Sequence, residues 1–206
     1  GRRWTETIKT KPRRLGKPGA FEDLELDADR HFAVKGQAAG IVHKAAHGLV
    51  RLGCAAADVR TACSEIVQAA VVQDLELESV LVEDMVEEGV ELLVTLRDDA
   101  TFGWVVLIGA GGVEVERMGD VVARPCPLTP EAALQAVGTL NVSAQLDALS
   151  DPVAAWDHAI NMLVSVAGAV GQLPAEVMEL ELNPVVVSSE SATILDAVGF
   201  LRRQKS

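Results

Sequence analysis

Apolar and polar positions along the chain change period several times, and the changes mark its elements. Residues 32–37 read as a short strand whose apolar pattern is interrupted by Lys35, followed by an Ala-, Gly- and His-rich loop that ends near Gly53. Over 57–72, Val59, Ala62, Ile66, Val67 and Ala70 recur at helical spacing with Arg60 and Glu65 on other faces, which predicts an amphipathic helix. Residues 79–85 and 90–96 read as two strands joined by Glu87, Glu88 and Gly89, the pattern of a hairpin. A third apolar strand, 104–109, runs into the glycine-rich turn Gly109, Ala110, Gly111 and Gly112, and alternation resumes over 113–116. Thr129-Pro130-Glu131 carries a capping hydroxyl, a proline suited to a first helical turn and an acid, so a helix starts there. Asp151-Pro152 repeats the device for a helix running to about Gly171. Residues 178–187 and 193–197 close the chain as two strands. Strands joined by short turns, with helices in blocks between them, point to α+β layering and not to a doubly wound parallel sheet.

Charge changes this picture at one end. The 206 residues carry a net charge of -12, yet residues 1–17 hold seven Lys or Arg against the single acid Glu6, a balance of +6 that leaves -18 on the rest. A short basic head punctuated by Gly and Pro reads as a solvated segment, and 1–31 is set apart from the body on that basis. Aromatic residues make up 3% of the chain and tyrosine is absent, so the stacking platforms that single-stranded nucleic acid needs are missing. Nucleic acid is not expected as a partner. Cys54, Cys63 and Cys126 are an odd set with no C-x-x-C pair and no signal-like segment before them, which reads as reduced, cytoplasmic thiols. The most apolar stretch, 159–170, falls short of the roughly 20 residues that span a bilayer, so a buried helix and no membrane are expected.

Several residues carry chemistry beyond packing. Lys35 stands alone among apolar neighbours, and its ammonium needs either a partner such as a nucleotide phosphate or an edge position in solvent. Asn183 and Asp196 lie on consecutive strands that a hairpin would bring together, and one amide and one carboxylate oxygen suit Mg²⁺, though each also suits local capping. Glu83 and Glu91 flank the expected hairpin and would face one crevice, or form part of a solvated acidic turn with Asp84, Glu87 and Glu88. The 109–112 turn lacks the Lys-Ser/Thr of a P-loop and the helix of a dinucleotide fingerprint; it offers exposed amides to an anion. His43, Lys44 and His47 share one loop, where imidazole is a nucleophile or a solvated side chain; two histidines without a third ligand do not make a zinc site.

Taken in order, these residues resemble a family. Ala33-Val34-Lys35, Val42-His43-Lys44, Val50-Arg51-Leu52-Gly53, Gly89-Val90-Glu91, Phe102-Gly103, Gly109 to Gly112 with Glu116, Asp120, Arg124 with Pro127-Leu128-Thr129, Glu181-Leu182-Asn183-Pro184 and Asp196-Ala197 are similar to the ATP-grasp region of ADP-forming acyl-CoA synthetases, relatives of the succinyl-CoA synthetase β subunit. The resemblance implies an α+β, ATP-grasp-like fold of mixed or antiparallel sheets with packed helices, 32–86 a remnant of one subdomain and 87–206 a second, with ATP or ADP between them. It implies Lys35 at the nucleotide phosphates, Glu83 at the adenine, Glu91 near the ribose, and Asn183 and Asp196 on Mg²⁺. Arg124 and Gly109, Gly111 and Gly112 would lie near the transferred phosphoryl group. His43 would relay phosphate from a histidine of a CoA-binding partner, which handles CoA and the acyl group. Thirty-four residues precede Lys35 and do not match, so a truncated first subdomain is expected. Ala45-Ala46, Trp104 and Val198 also depart from the family pattern. Those departures leave a second expectation, a non-catalytic ATP-grasp-like regulatory or assembly module.

Overall fold

The computed structural model describes residues 13–15, 25–41, 44–86, 89–111 and 119–202, with 13–15 described by backbone alone. Contacts divide the chain into two compact units, Gly1–Glu87 and Glu88–Ser206, each with its own core.

The first unit is a four-stranded sheet in the order β1 (Arg13–Leu15), β4 (Leu77–Asp84), β2 (His31–Ala38), β3 (Val50–Ala55), with helix α1 (Val59–Val72) against it. Alternation builds its core: Phe32 and Val34 on β2 and Val80 and Val82 on β4 point to one face, where Val59, Cys63 and Ile66 of α1 meet them. The glycine- and histidine-rich segment after β2 is not loop throughout. Lys44–His47 forms a 3-10 turn and β3 follows it, a strand hidden from sequence reading because Gly53, at φ 67°, breaks the alternation. Strand β1 lies within the basic head that charge alone marked as a solvated segment.

The second unit is a six-stranded sheet. Its path is β10 (Ala197–Leu201), β8 (Val177–Val187), β5 (Val90–Asp99), β6 (Gly103–Ala110), β7 (Val121–Pro125), with β9 (Ala192–Ile194) pairing β8 off the path. Every described strand pairing in both sheets is antiparallel. Helices α2 (Pro130–Gly138), α3 (Ser143–Asp147) and α4 (Pro152–Gly168) belong to this unit, and Ala133, Ala136, Leu146, Ala155, Ala159 and Leu163 pack with Leu92, Val94, Leu96, Val106 and Ile108 in one core. Thr129 and Asp151 cap α2 and α4 as their sequence suggests: their side-chain oxygens accept hydrogen bonds from the amides of Ala132 at 3.2 Å and Ala154 at 3.1 Å.

Two expectations need correction. The 79–85 and 90–96 strands do not form a hairpin: β4 pairs with β1 and β2, β5 pairs with β6 and β8, and the two strands belong to different sheets. The apolar helical stretch is also longer than 159–170; Pro152–Gln172 is long and apolar enough to cross a membrane by length and composition alone. One face of it, including Ala155, Ala159, Met162, Leu163 and Val166, is nevertheless buried in the protein core. Alternation over 113–116 lies outside the described residues, as do Glu87 and Glu88.

Candidate functional site

In the first unit the sheet has two faces of different chemistry. The face bearing Val34, Val80 and Val82 is covered by α1, and the other carries Ala33, Lys35 and Glu83. Lys35 lies on β2, an internal strand between β4 and β3, which removes the solvent-edge alternative for its ammonium. Its Nζ is 2.6 Å from Glu83 Oε2, with the two side chains 12% and 17% exposed. The register explains the pairing: Ala33 stands opposite Glu83 and Lys35 opposite Leu81, so Lys35 and Glu83 are diagonal neighbours on one face.

The loop histidines fare differently. His43 lies outside the described residues. Lys44 is buried, and His47 is tied to the end of α1: Gln73 Nε2 donates to the His47 carbonyl at 2.8 Å, and His47 Nδ1 is 3.0 Å from Gln73 Oε1. With the Gln73 amide nitrogen donating to the His47 and Ala69 carbonyls, its oxygen is the acceptor and His47 Nδ1 carries the proton. An open surface depression of about 660 Å³ lies beside this tether, lined in part by Ala46, His47, Arg51, Glu65 and Gln73; none of the residues expected at catalysis, nucleotide or metal lines it.

In the second unit, register sorts the remaining candidates. Leu93 faces Gly109, Thr95 faces Glu181 and Glu91 faces Val186, so Glu91, Gly109 and Glu181 share the sheet face away from the helices. Glu91 is exposed on that face, whereas Thr95 is buried in it. Gly109 and Gly111 are glycines for reasons of space. A Cβ on Gly111 would come 2.7 Å from the Glu91 carbonyl carbon, and one on Gly109 would come 2.9 Å from the Asp120 carbonyl oxygen. The Gly111 amide also donates to the Glu91 carbonyl at 2.6 Å. Gly112 and Glu116 lie outside the described residues. Arg124 stands opposite Val106 and in step with Val122, both of which pack toward the helices, so the register does not bring it to the face of Glu91 and Gly109; its guanidinium donates to the Ala123 carbonyl at 2.9 Å.

Asn183 and Asp196 do come together. The Asn183 amide donates to the Asp196 carbonyl at 3.2 Å, and Asp196 Oδ1 accepts from the amide of Ala197 at 3.0 Å. The Asn183 side chain donates through Nδ2 to Glu181 Oε1 at 3.4 Å, which orients its carbonyl Oδ1 as the remaining acceptor. Sequence reasoning gives Glu181 no role of its own, although the signal is present: two positions before Asn183 on a strand, it must share that residue's face. The corner therefore presents one amide and two carboxylate side chains, all partly buried. Hard oxygen donors in this number fit Mg²⁺ or Ca²⁺ sharing its remaining positions with phosphate and water. Among the described residues no group of three or more His, Cys, Asp or Glu side chains gathers for a metal. The three thiols are free, and burial pushes Cys63 and Cys126 up to about 11, which leaves them protonated and without nucleophilic character at neutral pH.

Two antiparallel, helix-backed sheets with a lysine on the first and a Glu-Leu-Asn corner on the second define a class of protein. The chain belongs to the ATP-grasp domain family, whose model matches residues 22–199. Its relatives bear out the resemblance to ADP-forming acyl-CoA synthetases. It is 32% identical over 158 residues to an ADP-forming acetate–CoA ligase I of Archaeoglobus fulgidus, covering 76% of this chain and 23% of that one. It is 30% identical over 161 residues to the beta subunit of ADP-forming acetate–CoA ligase I of Pyrococcus furiosus, covering 76% of this chain and 69% of that subunit. Among solved structures, acetyl-coenzyme A synthetase 1 of Candidatus Korarchaeum cryptofilum, in complex with coenzyme A and Ca-AMPCP, superposes with a TM-score of 0.77 at 26% identity over 95% of this chain and 87% of that one. The chain thus spans about a quarter of the Archaeoglobus ligase.

Proposed function

We propose that the chain is the nucleotide-binding part of an NDP-forming acyl-CoA synthetase. It binds ATP or ADP with Mg²⁺ and takes part in passing a phosphoryl group between nucleotide and acyl phosphate by way of a histidine. The observation that carries this reading is the Glu181–Asn183–Asp196 corner, found in a chain of the ATP-grasp family whose relatives are ADP-forming ligases. Each unit carries its own part of the residue set. In the first, Lys35 is a partly buried ammonium able to exchange a carboxylate for phosphate oxygens. In the second, Asn183 and Asp196 would hold the cation through oxygen, Glu181 orients the Asn183 amide, and Glu91 is an exposed acceptor for ribose hydroxyls. A bound Mg²⁺ would neutralise charge on the phosphates as the phosphoryl group departs.

His43 is the residue proposed to receive phosphate, and Arg124, on β7, the cation proposed to serve the transferred group. CoA and the acyl group belong to a CoA-binding, phosphohistidine-bearing partner subunit or domain, in keeping with the beta-subunit relative; the free thiols suit an assembly that works in the cytoplasm. Calorimetric titration of the chain with ATP and ADP, with and without Mg²⁺, tests the reading. Binding strengthened by Mg²⁺ in the wild type and weakened at least tenfold by Asp196→Ala is expected; absence of heat at millimolar nucleotide would overturn it and leave a non-catalytic module.

A further inference from the structure

We propose that Glu83 acts through Lys35 as a resident counter-ion: it holds the ammonium in the unliganded protein and thereby sets how strongly the first unit takes the phosphate groups of a nucleotide. The inference rests on the nucleotide-binding reading and deepens it. It moves Glu83 from the base, where the family resemblance would put it, to the charge balance of the phosphates.

The geometry carries the assignment. Nζ of Lys35 and Oε2 of Glu83 are 2.6 Å apart on adjacent strands, with side chains 12% and 17% exposed. The strand register holds both on one face, diagonal to each other, and α1 locks the opposite face through Val34, Val80 and Val82. Neither backbone can shift without disturbing that core. A partly buried ammonium is stabilised by an anion beside it, and Glu83 is such an anion in the unliganded protein. A phosphate arriving at Lys35 is then a second anion beside the same carboxylate, and like charges a few ångströms apart in a poorly screened setting repel.

Glu83→Gln removes the negative charge and keeps the side-chain shape. In the unliganded variant Lys35 loses its carboxylate, and in the liganded variant the phosphates lose their repulsion. Both effects favour a phosphorylated ligand in proportion to its charge, and neither acts on a ligand without phosphate. A carboxylate that touched the base or the ribose would behave differently, because its loss would weaken every member of a nucleotide series alike.

The test is a titration of adenosine, AMP, ADP and ATP into the wild type, Glu83→Gln, and Glu83→Gln with Lys35→Met, at one ionic strength. Removing a unit charge about 6 Å from a phosphate under intermediate screening changes affinity roughly tenfold. The expected result is therefore a roughly tenfold rise in the preference for ATP over adenosine in Glu83→Gln, with adenosine affinity unchanged, and loss of that rise in the double variant. Equal weakening across all four ligands would overturn the proposal by placing Glu83 at the base. A loss that grows with phosphate number would overturn it by making Glu83 a support for Lys35 and not its competitor. If the wild type binds none of the four, the nucleotide reading itself fails and this inference falls with it. Should Glu83→Gln not fold, Glu83→Asp draws the carboxylate back from Lys35 and must show the same trend at smaller amplitude; a reversed trend refutes the proposal.

Discussion

Replacing Gly111 by alanine would drive a methyl carbon into the backbone of β5. The new Cβ would lie 2.7 Å from the Glu91 carbonyl carbon and 2.8 Å from both Glu91 Cβ and the Leu92 nitrogen. None of these atoms sits at the end of a flexible side chain, so relief requires the segment carrying Gly111 to move off the strand. That movement stretches the 2.6 Å hydrogen bond from the Gly111 amide to the Glu91 carbonyl. Overpacking of this kind costs about 1–3 kcal/mol, and a strained backbone hydrogen bond adds about 1 kcal/mol. In a unit of 119 residues, counted from Glu88 to Ser206, a loss of about 2–4 kcal/mol lowers the melting temperature by roughly 8–15 °C. Gly168 supplies the contrast: it ends α4 at helical φ -74°, and a methyl group added there would meet nothing within 4 Å. Gly168→Ala should therefore raise stability by about 0.5–1 kcal/mol. Thermal unfolding of the two variants by calorimetry decides the matter. If Gly111→Ala melts within 2 °C of the wild type, by roughly the resolution of a scan, the close-approach explanation of this glycine is refuted.

Two further outcomes follow from local structure. Asp151→Ala removes the carboxylate that accepts the Ala154 amide at 3.1 Å, and urea unfolding should show a loss of about 1 kcal/mol that Asp151→Asn largely restores; an unchanged midpoint would remove the cap from the stability of α4. Burial raises the Cys63 and Cys126 thiols from 9.0 to about 11, so between those values the unfolded chain loses protons that the folded chain retains. Stability should be indifferent to these thiols below pH 8 and fall through that window, and the alkaline slope should flatten in the Cys63→Ala, Cys126→Ala chain; an identical slope would show that the thiols do not contribute.

Much of this was legible in the residue pattern, for reasons that differ by element. The α1 stripe and the capped starts of α2 and α4 were readable because helix period and capping chemistry are local. The hairpin expected across Glu87 to Gly89 failed because strand partners are chosen by burial over long sequence separations. Leu81 finds Lys35, and Thr95 finds both Leu107 and Glu181, and no short window contains those pairs. β3 and β7 were missed because each is short and half-exposed, with Gly53 and the Arg124-Pro125 pair obscuring alternation. Of the candidate residues, Asn183 and Asp196 were readable as neighbours because a tight return of the chain joins β8 to β9, although Asp196 itself falls in the link between β9 and β10 and not on a strand. The Lys35–Glu83 pair was not, since it depends on a register between strands more than forty residues apart. Arg124 shows the opposite limit: its motif is plain in sequence, but only the pairing with Val106 shows which face it stands on.

A divalent cation bound jointly by nucleotide phosphates and the Glu181–Asn183–Asp196 corner is central to the proposed function. Mn²⁺ reports this directly, because its paramagnetic resonance changes when the ion passes from water to a protein-held complex. Titrating Mn²⁺ into the chain with ADP present should give tight binding that is weak without nucleotide, and Asp196→Ala should return the spectrum to that of Mn²⁺–ADP in solution. Equal Mn²⁺ binding by wild type and Asp196→Ala in the presence of ADP would contradict the assignment of the metal corner.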